Sequence, residues 1–258
     1  AAVHVALGLH ALQHRGQEAA GIVSFDGAHF HSHRSLGSVG DHFSSATVID
    51  QLNGTSAIGH VRYSTTGETV IRNVQPLFAD LAGGGLAIAH NGNITNATQL
   101  RRRLEKRGSI FQSTMDTEVI VHLIATCSRP GFVEKLVDAL HHLVGAYSLV
   151  IQTNEALIGA RDPHGVRPLV LGELDGSYIL CSETCALDII GAAFVRDVGP
   201  GEVIVIDETG LRSLQPFPGA VKNKFCVFEY IYFARPDSVV EGVNVYQSRK
   251  KIGSELAK

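Results

Sequence analysis

The sequence predicts an α+β fold in which helices cover antiparallel sheets. Two observations predict it. Three helical patterns follow one another between residues 96 and 143, and from residue 146 onward the apolar runs are short, β-like and joined by turn signals. The regular strand-helix-strand alternation of a parallel sheet is absent. Residues 2–12 place apolar side chains at helical spacing, and the polar run 14–18 ends that helix in a loop. Residues 21–25 and 28–34 flank Asp26-Gly27, a pair that tolerates positive φ, and so read as a hairpin. Residues 57–63 alternate like a strand and open into a polar loop over 64–75. The apolar run 85–89 leads into His90-Asn91-Gly92-Asn93. Helices follow over 96–107, stopped by Gly108, over 116–127, with Asp116 and Glu118 in the first turn where carboxylates complement exposed N–H groups, and over 132–143, with Phe132, Leu136 and Leu140 at i, i+4. Strands are expected over 148–152, 156–160, 168–172, 178–182 and 202–207, with turns at Asp175-Gly176 and Thr209-Gly210 and one short helix over 183–190. Residues 216–224 mix Pro, Gly and Lys as linkers do, dividing the chain into a unit over 1–220 and a segment over 221–258 that ends in an amphipathic helix, 244–258. With no initiator Met and no stop signal after that last helix, the expectation is a piece of a longer chain.

Composition bounds the function. The 258 residues are 45% hydrophobic and 18% charged, which supports a sizeable core and excludes a disordered chain. The net charge is −3 and no basic stripe is present, so a nucleic-acid partner is not expected. No apolar run approaches the roughly 18 residues of a membrane span, and the opening residues lack the basic start of a secretory leader. Four cysteines without a Cys-x-x-Cys pair fit a reducing, cytoplasmic setting.

Several residues admit two readings. Asn91-Gly92 after an apolar strand is either a tight hairpin turn or an oxyanion hole, a side-chain amide beside an exposed N–H with no side chain in the way. Arg62 is either a solvated arginine or an anchor for a carboxylate, which its planar fork grips with two hydrogen bonds. Asp116 is either a helix cap or a counter-ion for an ammonium group. An Arg, an Asp and an Asn-Gly pair together suit an amino acid bearing a reactive amide. The adjacent His141 and His142 diverge on a helix and make a poor metal pair, and Asp162-Pro163-His164-Gly165 reads as a loop.

The longer strings carry more information than the spacings. Residues 12–21 (LQHRGQEAAG), 59–65 (GHVRYST), 89–93 (AHNGN), 161–169 (RDPHGVRPL), 182–188 (SETCALD) and 228–238 (FEYIYFARPDS) resemble the amidophosphoribosyltransferase family across essentially the whole chain. The first three are shared more loosely by class II glutamine amidotransferases. The resemblance implies an N-terminal-nucleophile hydrolase fold, four layers in the order αββα with two stacked antiparallel sheets. It implies that an N-terminal Cys attacks the glutamine carboxamide, and that the ammonia released displaces pyrophosphate from phosphoribosylpyrophosphate in the first step of purine biosynthesis. By motif, Arg62 binds the glutamine α-carboxylate, Asp116 its α-ammonium, Asn91 and Gly92 form the oxyanion hole, and Thr65 belongs to the pocket.

Two departures from the family pattern stand out. The nucleophilic Cys should precede the first helix by on the order of ten residues, and none of Cys127, Cys181, Cys185 or Cys226 sits in its motif. The phosphoribosyltransferase half, with the Mg2+ its substrate implies, lies beyond residues 221–258. Cys226 matches a place where iron–sulfur members carry one cluster ligand; a plain thiol is the other reading. The resemblance also implies a homo-oligomer with glutamine and phosphoribosylpyrophosphate as partners. The rival expectations are a class II amidotransferase with another acceptor, and a domain that binds glutamine or a partner subunit without turnover.

Overall fold

The computed structural model describes residues 1–63, 69–217, 219 and 222–258. Helix α1 (Ala2–Ala11) precedes the hairpin β1 (Ala19–Phe25) and β2 (Phe30–Leu36). Two short helices follow, α2 (Val39–Phe43) and α3 (Ala46–Gln51), then β3 (Ser56–Arg62), β4 (Leu77–Leu81) and the long strand β5 (Gly84–Ile94). The helical group is α4 (Ala97–Glu105), α5 (Thr117–Thr126) and α6 (Phe132–His141). Next come β6 (Gly145–Thr153), β7 (Ala156–Arg161), β8 (Val170–Leu174), β9 (Ser177–Cys181), α7 (Thr184–Ile190), β10 (Ala193–Asp197), β11 (Val203–Asp207) and β12 (Gly210–Leu214). The last segment holds one π-helical turn (Glu229–Phe233), the ribbon β13 (Val239–Val240) and β14 (Val243–Asn244), and α8 (Val245–Leu256).

Every strand pairing among the described residues is antiparallel, as the turn-linked runs predict. The central sheet has the order β12-β11-β7-β6-β5-β4, and two three-stranded sheets, β2-β1-β3 and β10-β8-β9, accompany it. The period of two along each strand decides the layers. On β5, Leu86 and Ile88 join Ile120, Ile124, Leu136 and Leu140 of the α5 and α6 helices, while Ala87 between them meets Val23 and Ile58 of the other sheet. On β1, Ile22 packs with Leu9 of α1 and Ala186 of α7, while Val23 faces β5. Leu169, Leu171 and Ile204 close the space between β8 and the central sheet. Helices, sheet, sheet and helices thus stack in the expected αββα order.

One local reading is corrected. Asn91-Gly92 is not a hairpin turn: β5 runs straight through it, with Asn91 opposite Ser148 and Gly92 opposite Tyr147 of β6. The positive φ that makes Asn-Gly a turn signal is present at Gly92, φ 150°, but in an extended backbone. Nothing larger fits there, because a Cβ would lie 2.1 Å from the Ala146 carbonyl oxygen.

Candidate active site

Arg62 ends β3, Asn91 and Gly92 lie on β5, and Asp116 caps α5. The fold brings all four onto one cavity of about 210 Å³. Thr65 lies outside the described residues. The solvated reading of Arg62 does not hold: it is 2% exposed and its Nη1 donates to the Asn73 carbonyl oxygen at 2.8 Å. Burial pushes its guanidinium below 12.5, against the nearby charges of Glu18 and Asp116. Asn73 is itself fixed by Thr114, whose N–H donates to Asn73 Oδ1 at 3.0 Å and whose hydroxyl accepts from Asn73 Nδ2 at 2.9 Å.

Asp116 fills the first of its readings, the helix cap. Its Oδ1 accepts from the Thr117 N–H at 2.9 Å as a helix cap, and its Oδ2 accepts from the Ile94 N–H at 2.9 Å, tying α5 to the end of β5. Burial raises its pKa, yet the hydrogen bond and charge of His90 and the two backbone donors outweigh this, so it lies below 3.8. A carboxylate held ionised at the cavity wall can accept an ammonium group. The loop before it is held by Glu118, which accepts from the N–H groups of Gln112 (2.6 Å) and Ser113 (2.7 Å) and from the Ser113 hydroxyl (2.6 Å).

The side-chain NH2 of Asn91 is buried and has no hydrogen-bond partner. An unpaired buried donor costs about 1–3 kcal/mol, a cost that a ligand oxygen at that place removes. Beside it His90 donates from Nε2 to the Ala146 carbonyl oxygen (3.3 Å), and its Nδ1 lies 3.2 Å from the Thr117 hydroxyl and 3.7 Å from Asp116. His60 Nε2 donates to the His90 carbonyl oxygen at 3.2 Å. Burial, then the neighbouring charge of His90, drop the His60 pKa from 6.5 to about 4, so the ring is neutral near pH 7. Neither histidine stands out by spacing; only the strings that contain them mark them.

A second cavity, about 440 Å³, adjoins the first and shares His60, His90 and Asn91 with it. Its walls are the β3 edge, residues 55–60, and the β9 edge, residues 177–182, under α1. Among the described residues β3 and β9 are terminal strands of their sheets, so two open strand edges face one space.

His141 and His142 are exposed. Asp162 accepts from the N–H groups of His164, Val166 and Tyr147, which makes its motif a loop staple. Cys226 is half-buried, its N–H donating to the Val166 carbonyl oxygen. Among the described residues no group of three or more His, Cys, Asp or Glu side chains could hold a metal. No helix among the described residues is long and apolar enough to cross a membrane.

A four-layer αββα fold with a buried Arg, a buried Asp and an unpaired amide donor around one small cavity defines a class, and the comparisons give the same class. The chain belongs to the glutamine amidotransferase domain family, whose model matches residues 60–188. Within it, the similar proteins are amidophosphoribosyltransferases. That of Rhizobium etli is 56% identical over 100% of this chain and 53% of its own length. The chloroplastic amidophosphoribosyltransferase of Glycine max is 54% identical over 97% of this chain and 44% of its own length. The solved glutamine phosphoribosylpyrophosphate amidotransferase from B. subtilis, complexed with ADP and GMP, superposes with a TM-score of 0.94 at 43% identity, covering 100% of this chain and 55% of that one. The chain therefore spans about half the length of the relatives it matches.

Proposed function

We propose that residues 1–220 form the glutaminase unit of an amidophosphoribosyltransferase and that residues 221–258 begin its phosphoribosyltransferase domain. The observation that carries the reading is the meeting of Arg62, Asp116 and the unpaired Asn91 amide on one cavity. At about 210 Å³ it is smaller than the roughly 300–1,000 Å³ of drug-sized pockets and suits an amino acid. Arg62 takes the α-carboxylate of glutamine, Asp116 takes the α-ammonium, and the carboxamide then reaches Asn91 and Gly92. A nucleophilic thiol enters on a strand that precedes α1 and pairs with the open edges of β3 and β9 in the adjoining cavity. The thiolate attacks the carboxamide carbon, and the oxygen that gains charge accepts hydrogen bonds from the Asn91 amide and the Gly92 N–H. Collapse breaks the C–N bond, ammonia leaves with the thiol's proton, and water then splits the thioester to glutamate and free thiol. Ammonia displaces pyrophosphate from phosphoribosylpyrophosphate in the second domain, where a bound Mg2+ would neutralise phosphate charge, and the product is phosphoribosylamine. The reaction belongs in the cytosol or in an organelle of similar redox.

The test is made in the full-length protein. Arg62→Ala and Asp116→Ala abolish glutamine-dependent synthesis of phosphoribosylamine and leave ammonia-dependent synthesis intact. Unimpaired glutamine turnover in either variant overturns the assignment, and a product other than phosphoribosylamine overturns the acceptor.

A further inference from the structure

Two carboxylates that the chemistry above does not use lie wholly buried next to the cavity. Glu229 opens the π-helical turn of the last segment and is 0% exposed. It accepts two hydrogen bonds from Arg15, Nη1 to Oε2 and Nη2 to Oε1, both 2.9 Å, and a third from Arg167 Nη1 to Oε1, also 2.9 Å. Glu183, likewise 0% exposed, takes Arg15 Nη1 at 2.5 Å and His14 Nε2 at 2.8 Å on Oε1, and the Arg235 N–H and Ser238 hydroxyl, each at 2.8 Å, on Oε2. Burial lowers the Arg15 pKa, but the charge and hydrogen bonds of Glu229, then of Glu183, reverse this and lift it above 12.5. Buried ions gathered this closely are favourable only as a complete set, and removing one partner strands the rest.

The set reaches the cavity at two points. Arg15, Arg167 and Phe233 are among its lining residues, and the Arg167 guanidinium lies 4.7 Å from the Phe233 ring centroid. Arg15 also leads into Gly16, which packs so closely on Arg62 that a Cβ there would lie 2.3 Å from the Arg62 carbonyl carbon, and the Glu18 N–H donates to the Arg62 carbonyl oxygen at 3.1 Å. The loop that Glu229 grips therefore lies against the backbone of the residue assigned to the substrate carboxylate.

We propose that Glu229 is a positioning residue for the glutamine site, acting through Arg15 and Arg167 to set the Arg62 wall of the cavity, so that the segment over 222–258 is part of what makes the cavity fit its substrate. This rests on the function proposed above. Glu229 touches no reacting atom, so its loss falls on substrate binding and spares the chemical step.

The experiment measures glutamine hydrolysis by the full-length protein. Glu229→Gln keeps the side-chain shape and removes the charge that holds both guanidinium groups. The expected result is a KM for glutamine raised about tenfold or more with kcat changed less than about threefold, and a return most of the way towards the parent KM in Glu229→Asp. A KM in Glu229→Gln equal to the parent's, or a fall in kcat with KM unchanged, overturns the proposal. Where Glu229→Gln does not fold, Arg167→Gln removes one of the three hydrogen bonds to Glu229 from a partly exposed side chain, and a parent-like KM there overturns it equally. A parent protein that hydrolyses no glutamine overturns the glutaminase reading itself, which separates the two failures.

Discussion

Removing the Asn91 amide should cost rate while leaving stability alone. Most buried polar side chains carry hydrogen bonds in the fold, so deleting them damages both. The Asn91 NH2 is buried with no partner, so Asn91→Ala breaks no hydrogen bond of that group and removes a desolvation cost of about 1–3 kcal/mol. Against this stands the loss of a small amount of packing, under about 1 kcal/mol for so short a truncation. At about 2–4 °C per kcal/mol for a chain of this size, the melting temperature stays within about 3 °C of the parent or rises. The catalytic effect is the opposite. Loss of one oxyanion donor lowers kcat by about 10²–10³, equivalent to about 2.7–4 kcal/mol. The assay is glutamate release by the full-length protein with saturating glutamine, alongside calorimetric melting. A kcat within threefold of the parent refutes the oxyanion role. A melting temperature lowered by more than about 8 °C, about 2–4 kcal/mol, refutes the claim that the amide is idle in the resting fold.

Further predictions follow from the neighbours. Gly92→Ala combines a φ of 150° with a Cβ 2.1 Å from the Ala146 carbonyl oxygen; strain of about 1–3 kcal/mol from the backbone alone plus the overlap lowers the melting temperature by about 6 °C or more, read by calorimetry. Because the folded His60 pKa is depressed to about 4 from 6.5, the unfolded chain binds more protons between those values. Its contribution is therefore complete above pH 6.5 and is lost as pH falls towards 4, amounting to at most about 3 kcal/mol. His60→Gln should flatten the melting-temperature profile across that window, and an unchanged slope counts against a buried neutral ring. Glu118 is pushed by burial in one direction and by the His122 and Gln112–Ser113 donors further in the other, ending at about 2. Its contribution lasts down to pH 4.5 and is lost towards pH 2, and Glu118→Gln should weaken glutamine binding by freeing the loop that leads to Asp116, measured by titration calorimetry.

Much of this molecule was legible before its structure. The grouping of helices over 96–143 and of turn-linked strands after 146 is enough to place helical and antiparallel layers, since periods of 3.6 and 2 differ visibly over such lengths. β10 and β12 escaped because they are edge strands with exposed side chains such as Phe194 and Arg212, lacking the alternation that burial imposes. α2 and α3 span five and six residues, too few to show a helical period. Arg62 and Asp116 were legible only as types suited to an amino acid, and the strings around them supplied their roles. Asn91-Gly92 misleads because local propensity names a turn, whereas pairing with Ser148 and Tyr147 holds the pair extended. Glu183 and Glu229 lie far from Arg15 in the chain, and no local rule finds three charges that meet only after folding.

The facing edges of β3 and β9 have a consequence for the handling of the protein. On the side away from β1 and β8, the edges of β3 and β9 border an open space instead of a further strand among the described residues. Unpaired edges recruit whatever extended peptide reaches them, a second molecule's included. The amides of these two edges should exchange with solvent deuterium well ahead of those in β6, which is paired on both sides. This stretch of polypeptide, prepared without an occupant for that gap, should thus be prone to cluster at high concentration, and a short β-forming peptide supplied in trans should disperse it.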